Sequence, residues 1–206
     1  MFARGGNVLE IIKFEYYNLQ TLIEKLRKIH MKGQPELTIY RDAKIYLKEN
    51  VDPTSIHICQ YYVLEKDLEE ITACRNALLS YGVDIFNLKG FVRVFSRDSQ
   101  RAHIQVFDVL PPVVELSVED GNIPLLCDGL HRLYLARENN SLINVIMIED
   151  FDYDYPYYAY PNEDGWENIR RVWEVPDIKK NYRIKDYKKL FRDFNTSFLN
   201  VTQPRT

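Results

Sequence analysis

The apolar positions along the chain change period several times, and each change marks an element. Leu19, Leu22, Ile23, Leu26 and Ile29 recur at helical spacing after Asn18, a good capping residue, and stop before Gly33, which predicts a helix. The run before them alternates Ile12, Phe14 and Tyr16 with Lys13 and Glu15, so residues 11–17 read either as a strand or as an extra helical turn. Runs at 37–40, 44–47 and 56–64 are rich in β-branched and aromatic residues and are bounded by turn formers such as Asp52-Pro53, which predicts strands. Leu64, Leu68, Ile71, Cys74 and Leu78 then return to helical spacing, giving a helix over 66–81 that stops at Gly82.

Segments 83–88, 91–95 and 103–109 cluster Val, Ile and Phe around Lys89-Gly90 and a polar stretch, the pattern of a small antiparallel meander that ends at Pro111-Pro112. Val113 to Leu116 and Ile123 to Cys127 read as strands joined through Glu119-Asp120-Gly121-Asn122. Leu130 to Glu138 reads as a helix and Ile143 to Ile148 as a buried strand. The succession strand, Asp-Gly turn, helix, strand has the form of a β-α-β unit.

From Glu149 to Trp166 the chain is crowded with Asp, Glu and Tyr, and Pro156 and Pro161 rule out a regular helix. Amphipathic tyrosines in such a loop suit a wrap over the core, or a lid over a ligand. Beyond it, Ile184, Tyr187, Leu190, Phe191 and Phe194 oppose Lys185, Lys188, Lys189 and Arg192, which predicts an amphipathic helix.

Composition narrows the class. The 206 residues, 46% hydrophobic and 28% charged, suit one globular domain or a domain with an appendage. No apolar run reaches the length of a membrane span and no basic-then-apolar leader opens the chain, so a cytoplasmic protein without membrane contact is expected. Three cysteines without CxxC spacing argue against a disulfide framework and a zinc ribbon. Cys59 and Cys74 read as packing residues, while the neighbours of Cys127 leave its role open. His30, His57 and His103 have no partners at metal-ligand spacing.

The net charge of -3 excludes the uniformly basic body of a general DNA binder. Residues 168–206, however, hold ten Lys or Arg against four acids, +6, so the other 167 residues carry -9. Nucleic acid is therefore a possible partner of this tail. A solvated helical face is the favoured reading.

The chemistry concentrates where the strand ending at Cys127 delivers Asp128-Gly129 into the helix begun by Leu130-His131-Arg132. The first N–H groups of a helix have no intrahelical acceptor, glycine allows close backbone approach, and His131 and Arg132 add donors at the positive end of the helix dipole. An anion would offset these two cations. The simpler alternative is that Asp128 caps the helix and Arg132 pairs with a nearby acid such as Glu138 or Glu115.

The string Leu-Leu-Cys-Asp-Gly-Leu-His-Arg-Leu-Tyr-Leu-Ala-Arg, residues 125–137, resembles the Asp-Gly-x-His-Arg box of the ParB/sulfiredoxin-like superfamily. The resemblance covers about residues 56–149, with an insertion at 83–110, and implies an α+β nucleotide-binding fold. On that basis residues 1–50 are an N-terminal extension, 51–150 the ParB/sulfiredoxin-like domain with an inserted β-meander, and 151–206 a Tyr-rich and basic C-terminal tail. Leu130 stands where sulfiredoxins carry their catalytic cysteine, which disfavours sulfinic-acid reduction.

The box is most similar to that of the free-serine kinase branch, which implies a phosphotransferase or nucleotide hydrolase using ATP or ADP with Mg and a small hydroxyl compound as acceptor. Gly129, Leu130, His131 and Arg132 would then hold phosphates, and Asp128 would serve as metal ligand or base. Glu65, or less well Glu115, matches the branch's second carboxylate by position. Glu65, Asp67, Glu69 and Glu70 also suit a helix N-terminus without any chemistry. The rival from another class is a non-catalytic, nucleotide-gated interaction module, with a link to DNA through the tail.

Overall fold

The structure, a computed structural model, describes residues 9–98 and 104–201. His103 and Arg205 lie outside them.

The ambiguous N-terminal run is a strand, β1 (Leu9–Asn18), and Asn18 then caps α1 (Leu19–Leu26) by accepting from the Thr21 N–H at 2.9 Å. A small antiparallel pair, β2 (His30–Met31) and β3 (Gln34–Thr38), leads to β4 (Lys44–Val51). Of the run at 56–64 only β5 (Tyr62–Leu64) is a strand, followed at once by α2 (Glu65–Leu79). The earlier part of that run makes a single parallel bridge, His57 to Leu125.

The expected meander is a hairpin of β6 (Gly90–Asp98) and β7 (Ile104–Val109), and β6 also pairs antiparallel with β1. Residues 83–88, expected as its first strand, form a turn instead. Asp84 accepts from the Phe86 N–H at 3.1 Å and pairs with Arg75, so the segment closes locally while Ile85, Phe86 and Leu88 are buried.

The central sheet adds β8 (Val113–Ser117), β9 (Ile123–Asp128) and, after α3 (Leu130–Glu138), β10 (Ile143–Glu149). Its order is β4-β10-β8-β9. The strand–helix–strand succession is as expected, but it is not a parallel β-α-β unit. β10 runs parallel to β8, and β9 runs antiparallel to β8, so α3 carries the chain over β8 to an antiparallel strand on its far side.

Both faces of this sheet are covered, which explains the nearly continuous apolar run of β10. Val145 and Met147 face one cluster with Leu68, Leu78, Leu133 and Ala136 of the helices α2 and α3. Ile146 and Ile148 face the opposite cluster, built from Leu22 and Leu26 of α1 and from Leu190, Phe194 and Phe198 of the tail.

The tail therefore folds onto the core, without the predicted helix. After β11 (Arg170–Val172), which pairs parallel with β5, its described residues form only short 3-10 turns at Tyr187–Leu190 and Phe194–Thr196. Its backbone bonds go to distant segments: Arg183 N–H to Tyr158 O at 3.1 Å, Asp193 N–H to His30 O at 2.9 Å, and Phe191 O from Lys32 N–H at 2.8 Å. Groups spent in this way are not available to an i→i−4 ladder. Arg192, placed by periodicity on the polar side, is buried.

Candidate functional site

β9 ends at Asp128, and Gly129 turns the chain into α3 with φ of 96°, the left-handed region that a side chain disfavours. A Cβ at position 129 would also lie 2.9 Å from Pro112 Cα and 2.9 Å from Arg132 Nη2. The turn thus packs against Pro112 on one side and against the Arg132 guanidinium on the other. Leu130 is buried in the core and offers this site only its backbone.

Asp128 does not cap the helix; Gly129 occupies that position, with no side-chain cap bond. Instead Arg132 Nη2 donates to Asp128 Oδ2 at 2.6 Å, one helical turn away. The arginine finds its acid within the box, not at Glu138 or Glu115. Asp128 is 6% exposed and Arg132 8%. Burial pushes the Asp128 carboxyl above its ordinary value, and Arg132 pulls it back only in part. Arg132 Nε is buried without a hydrogen-bond partner among the described residues. A buried charged donor left unsatisfied is costly, so this nitrogen calls for an acceptor.

His131 faces the neighbouring helix. Its Nε2 accepts from the Leu64 N–H at 3.3 Å and lies 3.5 Å from Asp67 Oδ2, so the first turns of α2 and α3 meet at this ring. Glu65 opens α2 and is held by Arg171 of β11 through two bonds, 2.8 Å from Nε and 2.6 Å from Nη2. The structure thus brings α2, α3 and β11 together around His131, with Glu65 facing Arg171.

Glu115, the lesser positional match, lies elsewhere and is fully engaged. On β8 it accepts two bonds from Arg192, at 2.8 and 3.0 Å, and one from the Tyr40 hydroxyl. Arg192 also donates to the carbonyls of Leu190, Pro156 and Tyr155, so all five of its N–H groups are used. Burial alone would lower the Arg192 pKa, but Glu115 overrides it and holds the guanidinium well above its ordinary value. Sequence reasoning missed this anchor. Its signal was a lone acid inside Val-Val-Glu-Leu-Ser and a lone arginine between Phe191 and Phe194.

The cysteines serve packing. Burial pushes the Cys59 and Cys74 thiols up to about 12, and raises Cys127 well above its ordinary value. Cys127 packs with Tyr157, whose hydroxyl donates to the Cys127 carbonyl at 3.2 Å. Among the described residues no three His, Cys, Asp or Glu side chains are placed together to hold a metal ion. Nor is any helix among them long and apolar enough to cross a membrane.

The fold and the box define an α+β domain of the ParB/sulfiredoxin-like kind. The model of the ParB CE domain family matches residues 21–170, well over half the chain, and the chain belongs to that family. The match runs from within α1 to the first residue of β11, taking in β4 and the Tyr-rich segment. No curated protein and no solved structure matches the chain.

Proposed function

We propose that the chain is a nucleotide-gated interaction module of ParB type that takes up nucleotide phosphates at the Gly129–Arg132 turn and does not transfer them. The observation that carries this reading is Arg132: a buried guanidinium behind a left-handed glycine at a helix start, bonded once to Asp128 and with Nε unsatisfied. Phosphate oxygens reaching the turn would meet first-turn N–H groups and the helix dipole, and would supply the missing acceptor.

Phosphoryl transfer to a small hydroxyl acceptor, with ATP or ADP and Mg, is the second reading. It draws on the raised Asp128 pKa, the direction a general base needs. Against it, the two candidate catalytic carboxylates are each taken up by an arginine, Asp128 by Arg132 and Glu65 by Arg171. Nucleic acid is a weaker partner than tail composition implied, since Arg171, Lys180, Arg183, Lys189 and Arg192 all bond within the chain.

A nucleotide panel scored by thermal shift, followed by turnover with and without magnesium, tests the proposal. A ligand of the native state at a hundredfold excess over its dissociation constant adds about 2.7 kcal/mol. Binding without turnover is expected, and turnover would establish the phosphotransferase instead. No shift with any nucleotide, phosphate or sulfate at millimolar concentration would sink both readings.

A further inference from the structure

We infer that Arg171 is a second phosphate-binding residue of the same site, held by Glu65 until an anion arrives; the inference rests on the nucleotide-binding reading above. In the parallel register of β11 and β5, Arg171 lies opposite Val63 and Val172 opposite Leu64. Leu64 is also the residue whose N–H donates to His131. Arg171, opposite Val63 and bonded to Glu65, and His131, bonded to Leu64, therefore meet the chain within three consecutive residues at the junction of β5 and α2. Tyr134, almost one turn beyond His131 on α3, agrees with this placement. Burial and Glu138 push its phenol up, while the charge of Arg171 opposes them.

The site is short of positive charge for the ligand proposed. A nucleoside di- or triphosphate carries several negative charges, and Arg132 is already offset by Asp128. Arg171 has a side chain partly in solvent, 49% exposed, and its fork suits a phosphate as well as a carboxylate. Releasing it costs little. Glu65 is the first residue of α2, where the helix dipole favours its charge without a partner, and solvent screens the pair. The exchange keeps two charge-assisted bonds on the guanidinium and leaves Glu65 stabilised by the helix.

Transfer of Arg171 from Glu65 to a phosphate also changes how β11 is seated on β5. β11 begins the segment that leads into the 3-10 turns of the tail, so occupancy of the turn reaches the C-terminal wrap through this one residue.

The test is calorimetric titration of the full chain with ATP and with inorganic triphosphate. Arg171→Ala and Arg171→Gln should each weaken binding about tenfold, the scale of a charge-assisted phosphate contact. Glu65→Gln should strengthen it, since the competitor for the guanidinium is gone, and ATP should speed hydrogen exchange in residues 170–172 of the unmodified chain. Wild-type affinity in both folded Arg171 variants would overturn the inference and leave the nucleotide site standing. So would a Glu65→Gln chain that binds no more tightly than the unmodified one. Should the Arg171 variants fail to fold, Glu65→Gln decides alone. If the unmodified chain binds neither probe, the nucleotide reading itself falls.

Discussion

The buried arginine–carboxylate pairs Arg192–Glu115 and Arg132–Asp128 are built to different standards. Arg192 meets Glu115 with two bonds, spends its other three N–H groups on carbonyls, and leaves Glu115 a third bond from Tyr40. Arg132 meets Asp128 with one bond and leaves Nε with no partner. A guanidinium with every donor satisfied has nothing left to offer a ligand, and it serves as an anchor joining β8, the N-terminal segment, the Tyr-rich loop and the tail. A guanidinium with a buried, unsatisfied donor next to a left-handed glycine has capacity in reserve. On hydrogen-bond accounting the difference distinguishes a structural pair from a candidate site.

The largest expected effect breaks the complete pair. Arg192→Ala strands Glu115 in the core, and about 3–5 kcal/mol of stability should be lost, measured by urea unfolding. Replacing both Glu115 and Arg192 with Leu should recover part of that loss, because the desolvation cost of both charges disappears. A loss under about 1 kcal/mol for Arg192→Ala would mean the anchor is ornamental and the comparison fails.

Arg132→Ala should cost less, about 2–3 kcal/mol, because it removes one charge-assisted bond and Asp128 escapes by taking up a proton. The sign follows from the raised pKa of Asp128. Its folded value lies above the unfolded one, so the group favours the native state below the unfolded pKa, and that contribution is lost as pH rises through the folded pKa. Arg132→Ala should raise that folded value further, extending the window in which stability falls with rising pH. Glu149 behaves oppositely. Its bonds from Lys44 and Tyr46 lower its pKa, so what it contributes is lost as pH falls. Carboxyl titration by NMR in the two chains checks both directions, and an Asp128 pKa below the ordinary carboxylate range would reverse the argument.

Gly129→Ala should cost about 1–3 kcal/mol, from the positive φ and from the Cβ pressed against Pro112 and Arg132. Thermal unfolding measures it. Because the same Cβ displaces Arg132, nucleotide binding should fall as well, which distinguishes the turn from an ordinary strained loop.

The local geometry of the candidate turn was legible in the sequence; its non-local contacts were not. Asp128, Gly129, His131 and Arg132 stand together because the Asp-Gly turn and the start of α3 are local, and local chemistry can be read from a few consecutive residues. Strands built mainly of apolar residues, such as β8 and β10, were equally readable. What failed was non-local. Residues 83–88 and 184–194 have strand and helix periodicity, yet Asp84 closes the first as a turn, and the second bonds through its backbone to His30 and Lys32. Arg192 looked solvated by period and is buried, because its partner lies on β8, far away in sequence. Gly129 was expected to let an anion approach the backbone. What approaches it in the structure is Pro112 and Arg132.

The smallest effect sharpens the comparison most. The Glu65–Arg171 pair resembles Glu115–Arg192 on paper, since both are bidentate with bonds between 2.6 and 3.0 Å. Environment separates them. Arg171 is half exposed, so water screens the attraction, and holding two long side chains in one geometry costs entropy. A double-mutant cycle of Glu65→Gln with Arg171→Ala should therefore give a coupling of about 0–1 kcal/mol, against several for Glu115 with Arg192. Burial, not the number of bonds, then sets the strength of an ion pair in this chain. The small value is also what the proposed exchange requires, because a phosphate can compete for Arg171 only if Glu65 holds it weakly. A coupling above about 2 kcal/mol without ligand would make the pair a second anchor, and Arg171 would not move.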